Sequence, residues 1–470
     1  MTAGQDARPL RILSINLFVR PPGIRTHASD FKDERIQYVI DHVLPEYDIV
    51  SFQELFAFAS PRRARLIRAA QAQGFHYVYG SPEQTLFNLS IDGGLLTVSR
   101  LPILATDHIR FPRGKYSDWL AAKGAIYTKI AVREGFHLHL FTTHTQASYE
   151  PVVSLDDATA RIRRQQFERL HRFVVKMMRD EKRGSDEPVV VQGDLNVDAR
   201  VHDRKPENLK DARCSEEYLA MMATMRCGKA TKDAILGLPV TPSSASTQAA
   251  STALPRQPAA VSSLPVRSAS VGVEDCLPHT SPVAPSSTTN NLVPADNNDG
   301  GDDPSHVVGD DRDGHSHASH PIVPYVLPFR DLIYEQLGYH PITFGDVTVA
   351  SDGQHTPRDM VLTHVDERGS CQRLDYILWV GGANETENGA TATLSADAYP
   401  DEVGPDTPIP FKAPSPVAAA VDQSGPPTWR VRPVHASVVP ILAESQVMDS
   451  YFTQVSDHYG VAVDLEIRPA

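Results

Sequence analysis

Apolar residues recur along this chain in short runs that end in polar side chains. Eight runs of seven to ten residues are rich in β-branched and aromatic residues, which favours strands over helices. They are 10–18, 47–55, 93–99, 124–132, 136–145, 188–196, 373–380 and 459–467. We predict a strand for each run.

Helical spacing of apolar residues appears between several of these strands. One such pattern covers 33–44 and is expected to stop before Pro45, and a second covers 156–178. The basic stretch 60–70 is also interpreted as a helix, with its charges on a solvated outer face. Strands that alternate with helices, with some strands back to back, predict an α/β fold with mixed sheets.

Two stretches interrupt this pattern. Residues 236–320 are rich in Ser, Pro, Ala and Thr and then in Asp and Asn, and they hold almost no periodic apolar signal. Such a composition cannot bury enough apolar area to offset its ordering entropy, so we interpret it as a disordered insertion. A second flexible insertion is predicted at 382–427. Because strand patterns resume after each, we predict a single domain over 1–470, with its core in 11–235 and 321–468.

The charge of the chain is concentrated in the first insertion. Net charge is −13 over 470 residues, and residues 296–313 alone hold seven Asp against one Arg. The folded part is therefore less acidic than the total suggests, but an acidic protein still repels nucleic acid. A nucleic-acid partner is not expected. The four histidines of the same region are interpreted as part of the low-complexity stretch rather than as a metal site: His306, His315, His317 and His320.

Cysteine spacing and hydropathy bear on the cellular compartment. The four cysteines are scattered without a CxxC spacing, which gives neither a zinc-finger pattern nor a disulfide framework. The first ten residues lack the apolar segment of a signal peptide, and no run approaches the ~18 apolar residues of a membrane span. We expect a cytoplasmic protein whose membrane contact is peripheral.

Polar side chains gather where the predicted strands end. "PVVVQGDLNVD" (188–198) runs from a buried strand into Asp194 and Asn196, which would share one face if the extended geometry persisted, or which could simply close a turn. Other strands end in the same way. Taken singly, each of these residues has an ordinary explanation, but together they predict one site. The set comprises Asn16, Gln53, Glu54, His144, Asp194, Asn196, Asp375, Asp457 and His458.

The chemistry of this set points to phosphate. Carboxylate and amide oxygens, with few nitrogen or sulfur donors, suit Mg²⁺, which proteins hold with one or two carboxylates plus a substrate phosphate. A histidine oriented by a carboxylate can deprotonate water for in-line attack on phosphorus. No Ser or Cys stands in a nucleophile motif. The residues therefore indicate hydrolysis of a phosphate ester without a covalent intermediate.

Five short motifs give the chain a family likeness. "SINLF", "FQELF", "GDLN", "LDYI" and "SDH" follow one another as in the endonuclease/exonuclease/phosphatase superfamily, which the chain resembles over 11–228 and 329–467. Three longer segments are similar to Mg²⁺-dependent neutral sphingomyelinases: "DGGLLTVSRLPI", "KGAIYTKI" and "THTQAS". The resemblance implies a DNase I-like four-layer αββα sandwich of two mixed sheets. It also implies cleavage of sphingomyelin to ceramide and phosphocholine with Mg²⁺, for which Mn²⁺ is a substitute.

The resemblance also implies roles for individual residues. His458 matches the general base and Asp375 the carboxylate that orients it, while His144 matches a donor to the phosphoryl or leaving oxygen. Asp194 and Asn196 match the pair that positions the attacking water and the phosphoryl oxygens. The implied metal-site residues are Glu54, Asn16 and Asp457. Lys123 and Asp118 resemble an Asp–Lys switch of some membrane-bound members, and Trp119 is a candidate for contact with the quaternary ammonium of the substrate.

Three alternatives remain open at this stage. A metal-dependent nuclease would share every superfamily residue, although the basic stretches 60–70 and 161–172 fit solvated helix faces better than a nucleic-acid groove. An inositol polyphosphate phosphatase usually shows "CDR" where this chain has "LDYIL". A non-catalytic scaffold gains nothing from such clustered polarity. The expected partner is sphingomyelin or a related phosphosphingolipid at a membrane surface, bound by a monomer.

Deleting residues 240–318 should leave the domain's cooperative thermal melt and its phosphodiesterase activity largely unchanged, because a disordered insertion contributes no packing. Circular dichroism melts and a turnover assay on the deletion variant check this. An insoluble product, or the loss of a single melting transition, would contradict the interpretation of this stretch as an insertion.

Overall fold

Each of the eight apolar runs that predicted a strand contains a strand in the computed structural model. In chain order the strands are β1 (Leu10–Val19), β2 (Ile49–Leu55), β3 (Tyr77–Gly80), β4 (Leu96–Ser99), β5 (Ile103–Arg110), β6 (Gly124–Arg133), β7 (Phe136–His144), β8 (Val189–Asp194), β9 (Arg330–Asp331), β10 (Val347–Val349), β11 (His355–Pro357), β12 (Asp375–Val380), β13 (Trp429–Val439) and β14 (Gly460–Pro469). The structure describes residues 8–25, 30–82, 91–148, 154–202, 209–210, 212–232, 235, 326–382, 428–443 and 452–470. Apart from Gly382, the two predicted insertions, 236–320 and 382–427, lie outside these ranges.

The strands form two mixed six-stranded sheets. The order in the first sheet is β13–β14–β1–β2–β4–β3, and in the second it is β5–β6–β7–β8–β12–β9, while β10 and β11 form a separate hairpin. In the first sheet β1 is parallel to β2 and antiparallel to β14, and in the second β7 is parallel to β8 and antiparallel to β6. The predicted pair of mixed sheets is confirmed.

Strand alternation explains how the sheets pack. Residues such as Ile12, Leu140 and Trp379 point inward and form a core between the sheets. Their neighbours in sequence point outward, where helices α1 (Lys32–Tyr38) and α2 (Arg62–Ala72) cover the first sheet and α3 (Ala158–Asp180) and α4 (Glu216–Cys227) cover the second. A short helix, α5 (Leu332–Leu337), follows β9. The result is the four-layer sandwich that the resemblance implied.

The first helix departs from the expected single element. It is α-helical only to Tyr38, continues as a π-helical turn over Val39–Val43 and tightens into a 3₁₀ turn over Leu44–Glu46. Pro45 has no N–H to donate and cannot continue a regular α-helix, but it is tolerated in the first turn of a new one. The apolar residues of this segment remain buried throughout the change of pitch.

Both long undescribed stretches attach at the same end of the sandwich. One leaves after β12 ends at Val380 and returns at Trp429, which pairs with Pro469 at the far end of β14. The other is bracketed by Arg226 and Leu327, whose backbone groups hydrogen-bond at 2.8 Å. Asp375, at the other end of β12, faces the opposite end of the sandwich, where the predicted site residues lie.

None of the helices in the described part of the chain combines the length and apolar character needed to cross a bilayer.

Gly193 allows β7 and β8 to pair closely beside the site. Its φ is +142°, and a Cβ at this position would lie 2.0 Å from the Thr143 carbonyl oxygen of the adjacent strand. Gly353 also has a positive φ, +82°, but an added Cβ there meets nothing within 4 Å. A side chain at Gly193 would therefore meet both a backbone clash and conformational strain, whereas one at Gly353 would meet conformational strain alone.

Gly193→Ala should lower the free energy of unfolding by about 3 kcal/mol or more, because the clash forces the two central strands apart. Gly353→Ala, which carries only the cost of its backbone conformation, should lower it by about 1 kcal/mol. Urea unfolding followed by circular dichroism measures both. Equal losses in the two variants would show that the close approach at Gly193 carries no energy.

Candidate active site

The side chain of Asn16 connects three of the predicted site residues. Asn16 lies on the inward face of β1 and is fully buried. Its Nδ2 is 3.2 Å from Glu54 Oε1, 3.0 Å from Asp194 Oδ2 and 3.5 Å from His458 Nε2. The orientation of the amide is fixed because its Oδ1 accepts a hydrogen bond from the Phe18 N–H at 3.0 Å. Residues from β2, β8 and the loop before β14 therefore meet at one amide.

His458 is paired with a carboxylate on the second sheet. Its Nδ1 lies 2.9 Å from Asp375 Oδ2, so Nδ1–H donates to the carboxylate and Nε2 faces Asn16 and Asp194. Burial lowers the pKa of His458, but Asp375 and Asp194 outweigh burial and raise it well above its usual value. This is the geometry of an oriented general base.

Asp194 and Asn196 come together through a turn. β8 ends at Asp194, Asn196 has a φ of +50°, and its backbone N–H donates to Asp194 Oδ1 at 3.0 Å. The chain therefore turns after Asp194, which is one of the two possibilities that the sequence left open, and the pair does not share a face by extended alternation. Asn196 Nδ2 donates to the Thr145 carbonyl at 3.1 Å, which turns this amide toward the end of β7.

Lys123 determines the protonation of His144. The ammonium Nζ lies 2.8 Å from Asp118 Oδ1, 2.7 Å from the Thr145 carbonyl oxygen and 3.0 Å from His144 Nε2. Because an ammonium only donates, Nε2 of His144 accepts, and the neutral ring carries its proton on Nδ1. Burial, Lys123 and His458 together hold the pKa of His144 well below its usual value. Asp194 Oδ2 lies 3.3 Å from the same nitrogen, Nε2.

Trp119 lies outside this cluster. It is 45% exposed on the outer side of a 3₁₀ turn, Tyr116–Trp119, whose Asp118 points inward. The guanidinium carbon of Arg113 lies 4.3 Å from the centroid of the Trp119 ring. One face of the ring is therefore already occupied by a cation of the same chain. The structure does not bring Trp119 together with the other predicted site residues.

Backbone strain directs Glu54 into the site. In a regular strand Glu54 would point outward, since Gln53 points between the sheets, but Glu54 has a φ of +53° and its side chain reaches Asn16. The Leu55 N–H donates to the Gly94 carbonyl at 2.9 Å, which holds this kink against the "DGG" segment. Strain of this kind is concentrated at functional sites because the surrounding structure must compensate for it.

The carboxyl groups of the site suit a hard cation. Burial raises the pKa of Asp194 to about 6, and burial followed by the nearby Glu54 raises that of Asp457 to about 7. The site thus tends to take up protons, and a divalent cation would neutralise the same negative charge. Among the described residues, one group of three has ligand atoms within 4.8 Å of one another: Asp194, Asp375 and His458. Asp375 and His458 bond each other within this group, and its two carboxylates, from Asp194 and Asp375, are the kind of ligand that Mg²⁺ prefers. Glu54 and Asp457, the other predicted metal-site carboxylates, lie outside this group.

Three residues that support the site were given no role from the sequence, although Ser456 stands in the "SDH" motif. Arg35, fully buried, donates to the carbonyls of Leu17, Phe18 and Val455 and so joins β1 to the segment before His458. Thr343 accepts from the Asp375 N–H, and Ser456 donates to the Asn16 carbonyl. The only signal for Arg35 was a charged residue next to the apolar face of a helical pattern, and Thr343 carried no signal.

No protein-family model matches the chain. A sphingomyelinase of Dictyostelium discoideum is 27% identical over 458 residues, which cover 91% of this chain and 73% of that protein. Sphingomyelinase C of Listeria ivanovii is 36% identical over 106 residues, 23% of this chain and 30% of that protein. The structure of sphingomyelinase C from Streptomyces griseocarneus overlaps with a TM-score of 0.37 at 23% identity, covering 47% of this chain and 71% of that one.

The match to the Dictyostelium protein covers 91% of this chain and so extends over both parts of the core. The structural overlap is too partial to define the fold, which follows from the two sheets and their flanking helices. The resemblance seen in the sequence motifs is confirmed by the sequence relatives. The chain is therefore similar to a sphingomyelinase over 91% of its length, in agreement with the likeness that its motifs showed.

Proposed function

We propose that this protein is an Mg²⁺-dependent sphingomyelin phosphodiesterase of the phospholipase C type, releasing ceramide and phosphocholine. The observation that carries the proposal is the convergence on Asn16 of Glu54, Asp194 and His458, with His458 oriented by Asp375. Its sphingomyelinase relatives supply the substrate class.

His458 activates the attacking water. With Nδ1–H held by Asp375, Nε2 takes one proton from the water as its oxygen bonds to phosphorus. The Asn16 amide orients Glu54 and Asp194, and the Asn196 amide, held by the Thr145 carbonyl, is the group positioned to hold the water or a phosphoryl oxygen. A bound divalent cation would neutralise charge on the phosphoryl oxygens.

The leaving oxygen is protonated from the opposite side. The bond that breaks joins phosphorus to the primary oxygen of ceramide, and that alkoxide must receive a proton. In the Lys123–His144 pair the proton resides on the ammonium, because Nε2 of His144 accepts. We assign proton donation to this pair, so that His144 acts together with Lys123 rather than alone. Asp118 keeps the ammonium in place through the 2.8 Å ion pair.

The protein should release phosphocholine from sphingomyelin vesicles in Mg²⁺ and stop when EDTA removes the metal, while plasmid DNA incubated in parallel remains largely supercoiled. With one enzyme preparation, a phosphocholine assay measures sphingomyelin hydrolysis and an agarose gel measures nicking of the plasmid. Efficient nicking together with inert sphingomyelin would replace the proposed lipid substrate with nucleic acid.

His458→Ala and Glu54→Gln should each lower kcat by at least about 10²-fold without unfolding the protein, because one removes the base and the other a metal-site carboxylate. His76→Ala and Glu46→Gln change the same residue types at exposed positions and should retain normal turnover. Near-normal turnover in either site variant, with an unchanged circular dichroism spectrum, would exclude its assigned role.

A further inference from the structure

An exposed apolar and basic surface adjoins the proposed active site. The segment 112–120, "PRGKYSDWL", exposes Tyr116 to 65% and Trp119 to 45%, and Leu120 is also exposed. Phe58, in the loop that follows Glu54 and β2, is exposed as well. With Arg113 and Lys115 these residues form what we call the rim patch: Phe58, Arg113, Lys115, Tyr116, Trp119 and Leu120.

Hydrogen bonds hold the two loops of the rim patch together. The Phe58 N–H donates to Asp92 Oδ2 at 3.2 Å, and the neighbouring Ile91 N–H donates to the Leu120 carbonyl at 2.8 Å. The loop after β2 is thus tied through 91–92 to the segment before β6. The two loops that carry the rim patch are therefore held next to each other.

The rim patch is also fixed relative to the catalytic residues. Asp118, in the middle of the exposed turn, points inward and pairs with Lys123, whose ammonium contacts His144. The backbone N–H of Ala147, three residues beyond His144, donates to Asp118 Oδ2 at 2.7 Å. A surface bound to the rim patch would therefore lie next to the Asp118–Lys123–His144 chain of contacts.

The chemistry of the patch matches one kind of partner. Aromatic side chains with a polar tip are favoured at the boundary between lipid headgroups and acyl chains, and Lys and Arg beside them are attracted to anionic lipid. Within 112–120 the single acid, Asp118, is buried and paired, so the exposed segment is basic in a chain whose net charge is −13. A large exposed patch with this composition marks an interaction site.

We propose that the rim patch docks on the surface of a lipid bilayer containing anionic lipid, and that this contact presents the substrate headgroup to the site. This inference rests on the proposed function, whose substrate is itself a bilayer lipid. Binding and chemistry are separable, because Phe58, Leu120 and Lys115 contribute no side chain to the cluster around Asn16 and His144.

The test uses two rim variants, Phe58→Ser/Leu120→Ser and Lys115→Glu, and a matched control, Tyr77→Ala/Leu104→Ala. Tyr77 and Leu104 are exposed apolar residues at the other end of the sandwich, since Tyr77 pairs across β4 from the start of β2 and Leu104 is at the start of β5. Each protein is sedimented with sphingomyelin/phosphatidylcholine vesicles, with and without phosphatidylserine. Turnover is measured on these vesicles and on soluble p-nitrophenyl phosphorylcholine.

The apolar rim variant should bind both vesicles at least about tenfold more weakly. Lys115→Glu should lose mainly the gain given by phosphatidylserine. Both should hydrolyse vesicles slowly and the soluble ester at the wild-type rate, whereas the control behaves as wild type throughout. His458→Ala should bind vesicles normally and hydrolyse neither substrate.

Wild-type vesicle binding by the apolar rim variant would overturn the docking surface, as would equal losses in the control. A change in the sedimentation of the lipid-free protein without a change in vesicle binding would assign the patch to a second copy of the chain instead. If the wild-type protein turns over neither substrate yet binds vesicles through the rim patch, the proposed function fails and the docking surface stands.

Discussion

The site depends on one buried amide that holds together two carboxylates, which would otherwise repel each other, and an imidazole. Glu54, Asp194 and His458 come from different strands and loops, and two of the three are acids. The Asn16 amide places a donor among them, and its own carbonyl oxygen is anchored by the Phe18 N–H. Asn16 belongs to β1 of the first sheet and Asp194 to β8 of the second. The hydrogen bond between them therefore also links the two sheets at the site.

The central strands and most site positions could be predicted from the sequence because burial on both faces leaves continuous apolar runs. Alternation then places Asn16, His144, Asp194 and Asp375 on the inward face, as observed. The edge strands β5 and β13 were not predicted from the apolar pattern. β5 and β13 are half-exposed, carry charged residues along their length and, in β13, include Pro433, so their apolar signal is diluted.

Local geometry at the site could not be predicted, because it arises from contacts between distant segments. Alternation would place Glu54 outward, and only the positive φ imposed beside Gly94 turns it to Asn16. Which nitrogen of His144 accepts depends on Lys123, which is 21 residues earlier in the chain. The turn at Asn196 likewise depends on the Thr145 carbonyl at the end of the neighbouring strand. Motifs therefore identify the participants, whereas the tertiary structure determines their orientation and protonation.

The hydrogen bond between the Arg226 carbonyl and the Leu327 N–H bears on how much the length of the chain between them can vary. It brings two residues 101 positions apart into direct contact at the end of the sandwich remote from Asn16. The entropic cost of closing a loop grows only with the logarithm of its length. Doubling the number of residues between Arg226 and Leu327 therefore costs about 0.6 kcal/mol. Large differences in polypeptide length at this junction are therefore thermodynamically inexpensive, and homologous proteins of very different size can share the same reaction centre.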